Sequence, residues 1–132
     1  MSDFEEIAKN LAAANKPKVR ELVQLALDRG TSAKEILDEG LMKGMGIVGG
    51  MMEREEIMIP EVLDVAHFMG QTIDEMLKPL LVEGDVNPYG KIVFATVQGD
   101  LHDIGKNLVI MMLDGAGFEV IDLGIDVPPE TI

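Results

Sequence analysis

The chain has no cysteine in its 132 residues. Disulfides, thiolate zinc sites, iron–sulfur clusters and cysteine nucleophiles are therefore excluded. Histidine is scarce, with His67 and His102 as the two copies. Basic residues are few: 11 Lys and Arg stand against 24 Asp and Glu, a net charge of −13. That balance argues against extended contact with nucleic acid or an anionic membrane. No apolar run approaches the ~20 residues of a membrane span. The stretch Met1-Ser2-Asp3-Phe4-Glu5-Glu6 is acidic and lacks an apolar signal core. A cytoplasmic location is the expectation. What the chain does have is 47% hydrophobic residues, enough for a core. Its length suits one ordinary domain or two very small ones.

The first 82 residues read as helices. Ser2 and Glu5 fit a capping box, and Phe4, Ile7, Ala8 and Leu11 follow at helical spacing. Asn15-Lys16-Pro17 breaks this helix, and Pro17 suits the first position of the next. Val19, Leu22, Val23 and Ala26 form its stripe, and Gly30 its carboxyl-terminal cap. A third helix starts near Thr31 or Ser32, with Ile36, Leu37, Leu41, Met42 and Met45 as its buried face. It then meets a cluster, Gly40, Gly44, Gly46, Gly49 and Gly50. Each glycine inside a helix costs about 1 kcal/mol against alanine. Two readings stand: close helix packing, or a bulky flat ligand that needs side chains out of its way. Glu53-Arg54-Glu55-Glu56 is a charged turn. Pro60 opens a fourth helix with the stripe Val62, Val65, Ala66, Met69, Ile73, Met76, Leu77 and Leu80. Four short helices predict a small bundle. His67 lies off the centre of the last stripe, as a structural, partly exposed histidine would.

The periodicity changes across a polar linker at 83–90, which contains Gly, Asn and Pro. Lys91 to Val97 then reads as a strand covered on both faces, because it does not alternate. Gly99-Asp100-Leu101-His102-Asp103-Ile104-Gly105-Lys106-Asn107 follows as a polar loop. A helix runs from Leu108 to the glycines at 115–117, and Phe118 to Asp122 reads as a second strand. Pro128-Pro129-Glu130 looks like the entry to another helix. The expected domains are 1–82, helical, and 91–132, the start of a doubly wound α/β sheet. Two strands and one helix cannot cover both faces of a sheet. Either another chain completes the sheet or this is the front part of a longer polypeptide; the second is the expectation, with roughly 80 further residues to finish five strands.

The loop between strand and helix is where open α/β sheets place their chemistry. An imidazole that ligates a metal uses one nitrogen, and a carboxylate such as Asp100 orients the other. Gly105 clears space at the loop–helix junction. One histidine with one acid is too few for structural zinc. It suffices for a metal whose other positions a macrocycle fills, with haem and corrin as the candidates. Other readings stay open. Asp103 fits a helix N-cap. A glycine-rich loop can cradle phosphate, although the G-x-G-x-x-G and G-x-x-x-x-G-K-[ST] spacings are missing. A His–Asp pair can act as a general base, although no serine sits in an elbow context.

Asp100-x-His102-x-x-Gly105 is the D-x-H-x-x-G signature of corrinoid (vitamin B12) binding domains. The run Val97 to Asn107 resembles the B12-binding region of cobalamin-dependent methionine synthase. It is more similar still to the small corrinoid proteins of methanogen and acetogen methyltransferase systems. Gly40-Leu41-Met42-Lys43-Gly44-Met45 and Met58-Ile59-Pro60-Glu61 resemble the helical cap of the same families. The linker and Asp122-Leu123-Gly124 to Val127-Pro128 fit too. The resemblance implies a four-helix-bundle cap before a Rossmann-like (flavodoxin-like) B12-binding domain that stops after its second strand. It implies a cobalamin or related corrinoid cofactor, with His102 as axial cobalt ligand and Asp100 bonded to its imidazole. Gly99, Leu101, Asp103, Ile104 and Gly105 would border the cofactor, Gly105 leaving room for its nucleotide tail. Met45, Met52 and Ile59 would cap the corrin, Met52 in place of the commoner phenylalanine. The family's later loops around the nucleotide tail would fall beyond Ile132. The implied function is that of a methyl carrier rather than a complete enzyme. Its partners would be a substrate-specific methyltransferase, an acceptor methyltransferase using coenzyme M or tetrahydrofolate, and a reductive activase. Neither nucleic acid nor membrane is an expected partner. A B12-dependent sensor is the alternative, but the DNA-binding kind needs a basic module, and none is present.

Overall fold

The computed structural model describes residues 2–81 and 89–132, which fall into two compact units, 1–87 and 88–132. Most of the expected linker, at 83–88, lies outside the described residues.

In the first unit, α1 (Asp3–Ala12) begins where the capping signal places it. The Ser2 hydroxyl accepts the Glu5 N–H at 3.2 Å. Helix α2 (Lys16–Asp28) has Pro17 as its second residue, one place further in than expected. It ends in a Schellman motif: Gly30 takes φ +87°, its N–H bonds Leu27, and the Thr31 N–H bonds Ala26. A third run starts on the Ser32 cap and contains α3 (Ala33–Glu35), a π-helical stretch (Ile36–Met42) and α4 (Lys43–Glu53). The fourth contains α5 (Ile59–Thr72), a π-helical turn (Ile73–Leu77) and a 3₁₀ turn (Lys78–Leu80). The Glu61 carboxylate caps α5 by accepting the Met58 N–H at 3.0 Å. No helix among the described residues is long and apolar enough to cross a membrane.

The core follows the apolar stripes. Ile7, Leu11, Val19, Val23, Ile36, Leu41, Val48 and Leu77 are fully buried. Leu80, expected in the last stripe, is exposed. The stripe gives out there because π-helical and then 3₁₀ turns shift the helical phase over Ile73–Leu80. Phe68 and Thr72 are buried instead. Thr72 satisfies its hydroxyl on the Phe68 carbonyl four residues back, at 3.0 Å.

The glycine cluster divides. A Cβ at Gly40 would lie 3.1 Å from Ile7 Cγ2, and one at Gly44 would lie 2.9 Å from Leu11 Cδ2 and 3.1 Å from the Ala8 carbonyl. These two glycines let α1 lie directly on the third run. Gly46 and Gly49 face open space, with nothing within 4 Å of a built Cβ. Close packing thus accounts for the first two glycines and not for the others.

In the second unit β1 (Lys91–Phe94) and β2 (Glu119–Asp122) pair in parallel through α6 (Ile104–Gly115), with Lys91 opposite Glu119 and Phe94 opposite Asp122. Both strands are shorter than the apolar runs that predict them. A bridge between Val97 and Val127 prolongs the pairing beyond their ends. The expected covering of both faces is not met within this unit. Val93 and Ile121 remain partly exposed, because one helix and two strands supply too little surface to bury a sheet. Helix α6 starts at Ile104, four residues before the predicted Leu108, so Gly105, Lys106 and Asn107 form its first turn. Pro129–Thr131 makes a 3₁₀ turn where a helix entry is predicted.

The two classes of glycine predict opposite responses. Gly44→Ala forces a methyl against backbone that cannot give way and should destabilise the helical unit by about 1–3 kcal/mol. Gly46→Ala meets nothing and removes a flexible residue from a helix, so it should add about 0.5–1 kcal/mol. Urea unfolding followed by circular dichroism measures both. Equal effects of the same sign would contradict the packing described.

Candidate corrinoid site

The site is built at the carboxyl ends of two parallel strands. Beyond β1 the Thr96 N–H bonds the Gly124 carbonyl at 2.9 Å, and the Val127 N–H returns to the Thr96 carbonyl at 3.0 Å. The segment after β1 is thereby tied to the segment after β2. The chain then turns at Gly99, whose φ of +87° favours glycine. The Asp100 N–H closes this turn on the Val97 carbonyl at 3.1 Å.

Asp100 accepts the backbone N–H of His102 at 2.9 Å on Oδ1. This is an Asx turn, a local habit of aspartate. It brings the residue two places on beside the carboxylate, and the His102 ring folds back so that Nδ1 meets the same Oδ1 in a short hydrogen bond. The His102 backbone N–H, and then its ring, hold the Asp100 carboxyl below the ordinary carboxylate value. An ionised Asp100 keeps the ring proton on Nδ1, which leaves the Nε2 lone pair as a donor. The His102 side chain is 94% exposed, and among the described residues no group bonds Nε2.

The other predicted residues fall as follows. Leu101 is exposed between Asp100 and His102. Asp103 sits at the N-cap of α6 but makes no side-chain capping bond. Ile104 is the first residue of that helix. A Cβ on Gly105 would meet nothing within 4 Å, so the helix start is open. In the helical unit Met45 is buried in the core, Met52 is half-buried against it, and Ile59 is 47% exposed at the start of α5. His67 is exposed. The structure brings Asp100, His102 and Gly99 together in one loop.

Three further groups support this loop. The Thr96 hydroxyl, in a residue only 8% exposed, donates to the His102 carbonyl at 2.8 Å. Asp126 accepts the Gly99 N–H and donates its own N–H to the Asp100 carbonyl. Lys106 buries its side chain to 6% exposure and places Nζ 2.9 Å from both oxygens of Asp122 and 2.7 Å from Asn107 Oδ1. The Lys106 ammonium, and then the Gly124 N–H, hold the Asp122 carboxyl below its ordinary value. Sequence reading assigns none of these roles. A polar threonine inside an apolar run was the available signal for Thr96. The partners of Asp126 and Lys106 lie too far along the chain for spacing to reveal.

These residues fit a corrin on chemical grounds. Among the described residues no three His, Asp or Glu side chains converge to hold a metal ion. The donor set is one imidazole nitrogen, oriented by a carboxylate and clear of other partners. That set suits a metal that arrives with its equatorial ligands in place. Exposed apolar side chains, Val97, Leu101 and Ile125, stand in the same two loops.

Comparison with known proteins agrees. A family model described as a B12 binding domain matches residues 3–87, and a second model with the same description matches residues 90–132. The chain belongs to the B12-binding-domain family, and cobalamin or a related corrinoid is the cofactor it is built for. Among its relatives is dimethylamine corrinoid protein 3 of Methanosarcina acetivorans, 40% identical over 97% of this chain and 61% of the relative. A monomethylamine corrinoid protein of the same organism is 37% identical over 98% of this chain and 60% of the relative. The chain spans about three fifths of the length of these curated relatives. Two solved structures, each 33% identical, are similar. One is the methanol:cobalamin methyltransferase complex of Methanosarcina barkeri, with TM-score 0.82 over 97% of this chain and 49% of that chain. The other is a cobalamin-binding protein from Desulfitobacterium hafniense, with TM-score 0.76 over 99% of this chain and 61% of that chain.

The Asp122 carboxyl carries a pH prediction. A folded-state value below the ordinary 3.8 means that its contribution is fully present above that value. The contribution is lost as pH falls through the depressed folded value. Asp122→Asn should therefore flatten the loss of thermal stability on acidification below about pH 4. Melting curves of both proteins across that range decide it, and parallel acid profiles would contradict it.

Proposed function

We propose that this protein is a corrinoid protein carrying a methyl group between two methyltransferases. One partner takes the methyl group from a methylated substrate and loads the carrier. The other passes it to an acceptor such as coenzyme M or tetrahydrofolate, and a reductive activase serves the cycle. Residues 1–82 form a four-helix-bundle cap, 83–90 a linker, and 91–132 belong to a Rossmann-like corrinoid-binding domain. The observation that carries this reading is the His102 imidazole, held at Nδ1 by Asp100 and open at Nε2. The family and the names of the relatives support it.

When bound, the cobalt centre supplies the chemistry of accepting and releasing a methyl group. The chain's own residues do the rest. His102 would hold the metal through Nε2. Asp100 fixes the ring and keeps the proton at Nδ1, which raises the donor strength of Nε2. Gly99, Leu101, Asp103, Ile104 and Gly105 would border the cofactor, and the open helix start at Gly105 would leave room for its nucleotide tail. Ile59 and the exposed part of Met52 would help exclude water from it. Met45, buried in the core, contributes to the shape of the cap rather than its surface.

The test is spectroscopic. The purified protein, reconstituted with hydroxocobalamin, should show the histidine-ligated spectrum with the cofactor's own base displaced. His102→Ala should lose that form. Asp100→Asn should keep the ligand and weaken it about 10- to 100-fold, the usual cost of removing a metal ligand's orienting partner. If His102→Ala has the wild-type spectrum and affinity, the ligand assignment fails.

A further inference from the structure

Five hydrogen bonds hold the backbone of the loop that carries Asp100 and His102. The Asp100 N–H bonds Val97, the His102 N–H bonds the Asp100 carboxylate, and the His102 carbonyl accepts the Thr96 hydroxyl. The two remaining bonds come from one residue that lies 27 places beyond Gly99. Asp126 Oδ1 accepts the Gly99 N–H at 2.8 Å. The Asp126 N–H donates to the Asp100 carbonyl at 3.0 Å. Asp126 takes a φ of +53°, a left-handed conformation that aspartate tolerates better than most residues. It is exposed, yet among the described residues no cation pairs with its carboxylate. The carboxylate is committed to a backbone N–H, a charge-assisted bond roughly twice as strong as a neutral one.

We propose that Asp126 is a positioning residue for His102: its side chain and backbone together hold Gly99 and Asp100 in the shape that keeps Asp100 on Nδ1 and leaves Nε2 open. Asp126 touches neither the imidazole nor its free nitrogen, and it acts through the Gly99 turn. If the Gly99 N–H is released, the turn that presents Asp100 loosens. The ring then loses the partner that fixes its tautomer. The importance of this for the cofactor rests on the reading of His102 as axial ligand, but the effect on the loop does not.

Two variants separate side chain from backbone. Asp126→Gly keeps the left-handed φ accessible and removes the acceptor. Asp126→Asn keeps both an oxygen acceptor and tolerance of that φ. In cofactor-free protein, nitrogen-15 NMR reads the Gly99 amide exchange rate and the tautomer of the deprotonated His102 ring. Wild type and Asp126→Asn should show a protected Gly99 amide and a proton on Nδ1. Asp126→Gly should exchange Gly99 about tenfold faster, the scale of one hydrogen bond to a charged group, and shift the ring proton toward Nε2. In the cobalamin-loaded protein, the histidine-ligated fraction should fall about fivefold in Asp126→Gly and recover in Asp126→Asn. Asp126→Ala replaces Asp126→Gly if the latter does not fold. The proposal is overturned if the acceptor-free variant keeps the wild-type tautomer, or if Asp126→Asn behaves like Asp126→Gly. A wild type that binds cobalamin without histidine ligation overturns the ligand assignment alone, since the tautomer result judges Asp126 independently.

Discussion

Everything at the candidate site depends on one carboxylate oxygen that accepts two hydrogen bonds from the same residue. Asp100 Oδ1 takes the backbone N–H of His102 and meets its Nδ1. The first bond is why the spacing is D-x-H. An Asx turn always bonds the residue two places on, so a histidine placed there has its ring within reach of the acid that fixed its backbone. At any other spacing the carboxylate could cap the backbone or orient the ring, but one short turn would not let it do both. The pair is therefore local and inexpensive. What it does not supply is a fixed direction for Nε2 relative to the rest of the unit.

Direction comes from strand pairing. Residues near 96–100 and 124–127 are far apart in the chain, but β1 and β2 run side by side and their ends emerge together. Parallel pairing places both following segments at the same edge of the sheet, the usual location of function in open α/β sheets. Lys106 pins the first turn of α6 to Asp122 at the end of β2, and Thr96 and Asp126 tie the loop from the two sides. A single imidazole in a mobile loop would lose much of its affinity to ordering, and these bonds settle that cost during folding.

How far the sequence could be read follows from the range of each interaction. Ser2, Ser32 and Gly30 were legible as caps because their partners lie within a few residues. The apolar stripes were legible because α-helical period is a local property. The π-helical stretches were not, and the stripe through Leu80 failed where they change the phase. The start of α6 was placed too late, because Gly105, Lys106 and Asn107 look like loop residues until Lys106 is seen buried against Asp122. The family signature singles out Asp100, His102 and Gly105, which lie close together in the chain. It is silent on Asp126, whose carboxylate bonds a backbone N–H 27 residues away.

The glycines separate what packing explains in the helical unit from what it does not. Gly40 and Gly44 are occupied by α1, so their absence of side chains is explained inside the helical unit. Gly46 and Gly49 have no such explanation: each forgoes helix stability, and neither is needed for packing. Exposed apolar side chains pose the matching question in the other unit, where Val97, Leu101 and Ile125 stand in the loops that follow the two strands. On the proposed reading both have one answer. A corrin is broad and flat, and a surface without projecting side chains and an imidazole clear of partners are each of a kind that such a group can use. Neither unit bears, among its described residues, the donor cluster that an unchelated metal ion would need. Each unit thus keeps a surface that its own packing does not explain.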